Sequence, residues 1–138
     1  MNFTPEKLLF DIGGWDGGGF GLSWESGALK LVRHDFGPFG GPILKEAQPT
    51  EAEWRRFWNA VEQSGAWSWK PNYEPVGYVV LDGTQWSLEL AWNGKTVTCG
   101  GSNAYPGCAD MEIEPESEFG KFYRALSDLI QFEFDADD

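Results

Sequence analysis

The strongest constraint on the fold lies between residues 85 and 99, where two short runs flank the dipeptide Asn93-Gly94. Asparagine followed by glycine suits the two-residue turn of a β-hairpin, because both turn positions need a positive φ. Such a turn predicts the cross-strand pairs Trp92 with Lys95, Leu90 with Val97 and Leu88 with Cys99. One face of the hairpin then carries Trp86, Leu88, Leu90, Val97 and Cys99, and the other carries Ser87, Glu89, Thr96 and Thr98. The sequence therefore predicts an antiparallel sheet with one buried face.

Other strands are predicted on both sides of this hairpin. Residues 8–12 form a short strand, and residues 20–24 and 28–32 form a hairpin around Glu25-Ser-Gly27. Residues 77–81 form another predicted strand, which a second turn dipeptide, Asp82-Gly83, connects to the hairpin of residues 85–99. The three strands together predict an antiparallel meander. Residues 34–48 contain GPFGGP, and we expect a loop there because proline and glycine suit neither a ladder nor a helix.

Two amphipathic helices are expected. Thr50 and Glu53 form a capping box at the start of the first helix. Its apolar face contains Trp54, Phe57, Trp58 and Val61, and Gly65 is placed to end it. The second helix is predicted to begin near Ser117 and to bury Phe119, Phe122, Tyr123, Leu126, Leu129 and Ile130. We expect Phe132 and Phe134 to continue onto the core.

These elements predict an α+β fold in which two amphipathic helices pack on one face of an antiparallel sheet of hairpins. The chain has 138 residues, close to the commonest size of a single domain. We expect one domain over residues 1–134 and an acidic tail over residues 135–138, which frays.

The charge balance restricts the class of partner. Twenty-two acidic residues against ten Lys and Arg give a formal net charge of −12. A phosphate backbone attracts Lys and Arg, so we expect no direct nucleic-acid binding, and a protein with a basic surface is the more natural partner. The acidity also has a simpler explanation, which is solubility.

The sequence gives no sign of a cofactor or a membrane segment. Cys99 and Cys108 lack the Cys-x-x-Cys or paired-histidine companions of a zinc site, and two cysteines make no disulfide framework. No apolar run approaches the ~18 residues of a membrane span, and the N-terminus lacks a signal-peptide pattern. We expect a cytoplasmic protein without metal or cofactor. Cys99 and Cys108 could pair if the loop 100–107 folds back, although cytosolic thiols usually stay reduced.

The glycine-rich stretch GGWDGGGFG at residues 13–21 is a candidate binding loop. It is not a dinucleotide loop, because no three of its glycines have the Gly-x-Gly-x-x-Gly spacing. Trp15 and Asp16 are instead candidate contacts for a protein partner, since an aromatic side chain buries a large area at low entropic cost. The alternative is that Trp15 packs on the core and the glycines only permit the bend.

Acidic residues alternate from Asp110 to Glu118 in DMEIEPESE. In extended backbone they would project from one side about 6.6–6.8 Å apart. We expect Glu116 and Glu118 to lie at a helix N-terminus, where negative charge is favourable. Asp110, Glu112 and Glu114 are left either as a surface for a partner's Lys and Arg or as a solvated face.

The loop after the last strand adds two candidate contacts, Asn103 and Tyr105. Loops at strand ends often carry binding sites. Both residues also have a structural explanation, because Asn103 can hydrogen-bond its own turn and Pro106 restricts Tyr105 to extended geometry.

Catalytic patterns are weak. His34 is the single histidine and has no nucleophile motif beside it. No pair among the twenty-two acidic residues can be singled out for general acid–base catalysis. Gly94-Lys95-Thr96 is similar to the end of a P-loop, but Glu89 occupies the position of the required first glycine. We do not expect an enzyme.

The order of motifs resembles that of a group of small bacterial proteins and, among inhibitors, the emfourin-type inhibitors of metalloproteases. The resemblance is carried by GGGFG in the opening hairpin, Thr50 and WxxFW in the first helix, the Asp82-Gly83 hairpin and the terminal amphipathic helix. It spans most of the chain and implies an α+β binding protein. It assigns no inhibitory residue and no target.

The sequence therefore predicts an acidic protein-binding inhibitor of the immunity-protein, antitoxin or protease-inhibitor type. An alternative is a module that binds a small molecule or carbohydrate, which the eight tryptophans favour. A hydrolase is the third and least favoured alternative.

Overall fold

The computed structural model describes residues 2–14, 19–33, 43–74, 84–108 and 113–132. The strands are β1 (Lys7–Gly14), β2 (Gly19–Glu25), β3 (Ala28–Arg33), β4 (Ile43–Ala47), β5 (Asn72–Tyr73), β6 (Thr84–Trp92) and β7 (Lys95–Ser102). The helices are α1 (Glu51–Ser64) and α2 (Glu118–Ile130), and a 3-10 turn at Ala66–Ser68 follows α1. The predicted α+β fold is confirmed.

The strands form one sheet in the order β4-β3-β2-β1-β6-β7-β5. All neighbours are antiparallel except β5 and β7, which run parallel with Asn72 opposite Gly100 and Tyr73 opposite Gly101. The first strand, β1, is central and pairs with both β2 and β6.

The predicted hairpin register is confirmed. Trp92 lies opposite Lys95, Leu90 opposite Val97 and Leu88 opposite Cys99. Asn93 and Gly94 have φ values of 53° and 78°, the positive values that this two-residue turn requires. Trp86, Leu88, Leu90, Val97 and Cys99 are all buried, as predicted.

The predicted helix caps are also confirmed. Thr50 Oγ1 accepts from the Glu53 amide at 3.1 Å, and Glu53 Oε1 accepts from the Thr50 amide at 2.8 Å. The Thr50 amide lowers the pKa of the Glu53 carboxyl by stabilising its charged form. Gly65 ends α1 with φ 77°, and Ser117 Oγ caps α2 by accepting from the Gly120 amide at 2.9 Å.

One core lies between the sheet and the two helices. Phe10 of β1 is fully buried and has Phe20, Phe119, Phe122 and Tyr123 as ring neighbours. The predicted stripe of α2 is buried in full: Phe119, Phe122, Tyr123, Leu126, Leu129 and Ile130. Both helices therefore cover the same face of the sheet.

Two expectations differ from the structure. Residues 34–48 were expected to be a loop, but Ile43–Ala47 form the edge strand β4, in which Ile43 is 55% exposed. Phe132 was expected on the core and is 37% exposed, because Gln131 takes a left-handed conformation and ends α2. The predicted strand at 77–81, the Asp82-Gly83 turn and Phe134 lie outside the described residues.

Seven of the eight tryptophans lie in the described structure, and each packs against another aromatic ring: Trp24, Trp54, Trp58, Trp67, Trp69, Trp86 and Trp92. Their indole groups differ in hydrogen bonding. Trp86 Nε1 donates to the Ala104 oxygen at 2.8 Å, whereas Trp54 Nε1 is buried and has no hydrogen-bond partner among the described residues.

We predict that Trp86→Phe destabilises the fold more than Trp54→Phe, by about 1–3 kcal/mol, because it leaves the Ala104 oxygen unsatisfied. Both changes remove the same volume from buried positions, so each variant controls for the other. Urea unfolding of the two variants measures the difference. Equal losses of unfolding free energy would contradict the role given to the Trp86 hydrogen bond.

Candidate functional site

The two ends of the sheet are built differently. One end, which we call the turn end, carries the two-residue turns Ser26-Gly27 and Asn93-Gly94 and the short link 48–50 between β4 and α1. The other end, which we call the loop end, is formed by Gly14, Gly19, Arg33, Ile43, Thr84 and Ser102.

Two of the four internal segments outside the described residues are bounded on both sides by residues of the loop end, and the other two adjoin a strand that begins or ends there. Residues 15–18 separate Gly14 from Gly19, and residues 34–42 separate Arg33 from Ile43. Residues 75–83 precede Thr84, and residues 109–112 follow Cys108 in the loop that continues from β7. The strand ends from which the longer connections leave therefore lie at one end of the sheet.

The predicted site residues all belong to this end or to the segments attached to it. Trp15, Asp16, Asp110 and Glu112 lie outside the described residues, as does His34. Asn103, Tyr105 and Glu114 are described, and they differ in burial and role.

Asn103 joins two strands of the sheet. Its Oδ1 accepts from the Thr84 amide at 3.1 Å, and its own amide donates to the Thr84 oxygen at 2.8 Å. Its φ of 52° is one that asparagine tolerates better than most residues. Asn103 thus fixes the chain where β7 ends and β6 begins.

Tyr105 is a core residue. It is 5% exposed, and its ring centroid lies 4.9 Å from Phe119 and 6.4 Å from Trp86. Burial raises the pKa of its hydroxyl, and a hydrogen bond with Thr84 partly offsets this shift. The ring offers no surface to a partner, so only Asn103 remains as a candidate contact in this loop.

Glu114 is exposed and is the first acidic residue of the run that the structure describes. The backbone oxygen of Glu114 accepts hydrogen bonds from the Ser117 amide at 3.0 Å and from Ser117 Oγ at 2.6 Å, so the chain turns here. Glu118 is the first residue of α2, and its Oε1 accepts from Trp69 Nε1 at 3.0 Å. The last acidic residues therefore lie at a helix N-terminus, as predicted.

The loop 103–108 is fastened to the start of α2. The Phe119 amide donates to the Pro106 oxygen at 3.1 Å. Gly107 has φ 79°, and a Cβ there would lie 2.9 Å from the Glu118 amide nitrogen. Sequence reasoning missed this contact because it joins residues that no local motif connects.

Gly101 provides the space that this loop needs. A Cβ at Gly101 would lie 2.6 Å from Trp86 Nε1 and 2.7 Å from the Ala104 oxygen, the two atoms of a buried hydrogen bond. The glycine is therefore required by the close approach of the loop to β6.

The two cysteines are free and differ in environment. Cys99 is buried in β7, and burial raises its pKa from 9.0 to about 11. Cys108 is half-buried, with its Sγ 3.1 Å from Ser117 Oγ. Within the part of the chain that the structure describes, no three His, Cys, Asp or Glu side chains are grouped as metal ligands would be.

The negative charge is unevenly distributed. The described residues carry thirteen acidic and all ten Lys and Arg side chains. The remaining nine acidic residues lie outside them, five in the four internal segments and four in residues 133–138. The connections of the loop end thus contain acidic residues and no Lys or Arg.

Comparison with known proteins gives no matching family model and no similar curated sequence. Of the helices described, neither has the length and apolar character to cross a membrane. The description of the loop end and its acidic connections therefore rests on the sequence and structure of this chain, without a related protein for comparison.

We predict that Gly101→Ala destabilises the fold by about 1–3 kcal/mol, because the methyl group overlaps atoms that cannot move apart without breaking a hydrogen bond. Thr98→Ala, at an exposed position of the same strand, is the control and changes stability little. Thermal unfolding checks both variants, and an unchanged midpoint for Gly101→Ala would contradict the crowding.

We predict that iodoacetamide at pH 8 alkylates Cys108 in the folded protein and leaves Cys99 unreacted. With a pKa near 11 and a buried position, Cys99 is neutral thiol at this pH, and the thiolate is the nucleophile. Mass spectrometry should find one label in buffer and two in urea, and Cys108→Ser should abolish labelling in buffer. Rapid labelling of Cys99 in the folded protein would contradict its burial.

Proposed function

We propose that the protein is a protein-binding inhibitor that uses the loop end of its sheet to bind a partner with a basic surface. The observation that carries the proposal is the division of the connections: two-residue turns lie at one end of the sheet, and the longer connections meet the sheet at the other. Binding residues are commonly held on such loops by a rigid scaffold.

The composition of these connections supports a protein partner. They are WDGG, HDFGPFGGP, PVGYVVLDG and ADME: all four contain acidic residues, and the first three also contain aromatic residues and glycine. Aromatic side chains with small neighbours are typical of protein-binding loops. Acidic residues without intervening cations attract a basic surface and speed encounter.

The described anchors of the loops support a preorganised surface. Asn103 is held by two hydrogen bonds to Thr84, and Pro106 is held by the Phe119 amide. A loop that is fixed at its base loses less entropy on binding than a free one.

The tryptophan count does not favour a carbohydrate or small-molecule site, because seven of the eight tryptophans have packing partners within the chain. The inhibitor proposal is therefore preferred.

We predict that Asp110→Asn, Glu112→Gln and Glu114→Gln together weaken partner binding at least about tenfold at low salt, and less at high salt, because salt screens exposed charges. The control is Glu6→Gln, Glu25→Gln and Glu51→Gln, at or near the turn end, which changes the net charge equally. The partner is first identified by capture with the wild-type protein, and metalloproteases are assayed directly because of the emfourin resemblance.

Calorimetry then compares the two triple variants with the wild type. Equal weakening by both would show that only bulk charge matters, and no weakening by either would remove the acidic run from the interface. Trp15→Ala separates the aromatic from the charged contribution, with an expected loss of about 2 kcal/mol if Trp15 is an anchor.

A further inference from the structure

The first residues of the chain are held at the turn end by side chains of β6 and α1. The regular pairing of β1 is preceded by the Glu6 amide donating to the Ala91 oxygen at 2.8 Å. Before this point, the Asn2 oxygen accepts from Trp92 Nε1 at 3.0 Å and the Phe3 oxygen accepts from Trp58 Nε1 at 2.6 Å. We call residues 2–5 the N-terminal strap.

The side chain of Phe3 completes the contact. Its ring lies between the indole of Trp92, at 6.0 Å and 26°, and the guanidinium of Arg55, at 5.1 Å from the ring centroid. A cation over an aromatic face is attracted by the ring quadrupole. Phe3 thus contacts both an indole ring and a guanidinium group, while two successive backbone oxygens of the strap accept hydrogen bonds from indole groups.

The receiving surface, which we call the indole slot, consists of Arg55, Trp58 and Trp92. Trp58 and Trp92 stack on each other at 4.5 Å and 3°, and Trp58 also stacks with Trp54 and Trp67. These ring contacts join residues of α1, the 3-10 turn and β6 and include no residue of the strap. The slot is therefore preorganised for an extended backbone followed by an aromatic side chain.

We propose that the indole slot is a binding site for an extended peptide with an aromatic residue, and that the N-terminal strap is its ligand within the chain. Two indole donors that meet successive carbonyl groups recognise a peptide backbone of any sequence, and the Arg55–Trp92 pair selects the aromatic ring. The same segment then binds when it is supplied as a separate molecule, including from a second copy of the chain. The slot lies at the opposite end of the sheet from the loop end, so this inference does not rest on the proposed function.

The test uses the full chain with Phe3→Ala, which empties the aromatic position, and a fluorescein-labelled peptide Asn-Phe-Thr-Pro-Glu-Lys that copies residues 2–7. We expect saturable binding by fluorescence anisotropy. When unlabelled peptide is added to Phe3→Ala, the chemical shifts of the Trp58 and Trp92 indole N–H groups should move from their values in the free variant towards those of the wild type.

Two controls make the expectation specific. The same peptide with alanine in place of phenylalanine should not bind. The wild type should bind the phenylalanine peptide at least about tenfold more weakly than Phe3→Ala does, because its own strap occupies the slot in nearly all molecules.

Phe3→Leu is tested in parallel, since leucine keeps apolar volume at a half-buried position and preserves the fold if alanine does not. Absence of saturable binding to a folded variant at up to about 1 mM peptide, which corresponds to a binding free energy of about −4 kcal/mol, would overturn the proposal. Equal binding of the alanine peptide would overturn it as well, because the slot would then not recognise the ring.

Discussion

The burial of Phe119 determines how the sheet, the second helix and the loop end fit together. Its ring lies 4.7 Å from Trp86 of β6, 4.9 Å from Tyr105 and 5.9 Å from Trp69, and its amide binds the Pro106 oxygen. The same residue thus fills the core and fixes the N-terminus of α2. Because these contacts share one residue, α2 cannot shift along the sheet without opening the loop 103–108.

The parts of the fold that follow from local rules could be predicted from the sequence. The Asn93-Gly94 turn determines the register of β6 and β7, and the Thr50–Glu53 capping box determines where α1 begins. Strands β4 and β5 could not be predicted, because β4 follows the glycine- and proline-rich stretch GPFGGP and β5 has only two residues. An edge strand is hydrogen-bonded on one side only, and a two-residue parallel pair exists only once the distant strand β7 is in place.

The segments that carry the candidate site could be predicted from the sequence. They adjoin strand ends at the same end of the sheet, because tight turns at one end of antiparallel strands leave the longer connections to start at the other. The motifs could not separate exposed from buried residues. Tyr105 is buried by Phe119, fourteen positions later in the chain, and no pattern around Tyr105 contains that information.

The central position of β1 in the sheet affects how the protein folds while it is synthesised on the ribosome. Strands β1 to β4 can pair as soon as they are synthesised, but the second edge of β1 must wait for β6, whose Leu90 lies opposite Leu8. Until β6 is synthesised, one edge of β1 has unpaired backbone N–H and C=O groups next to its apolar side chains. Strands of other chains can form hydrogen bonds with this edge. The nascent chain therefore passes through an interval of aggregation risk, and this late, long-range pairing limits how fast the fold can form.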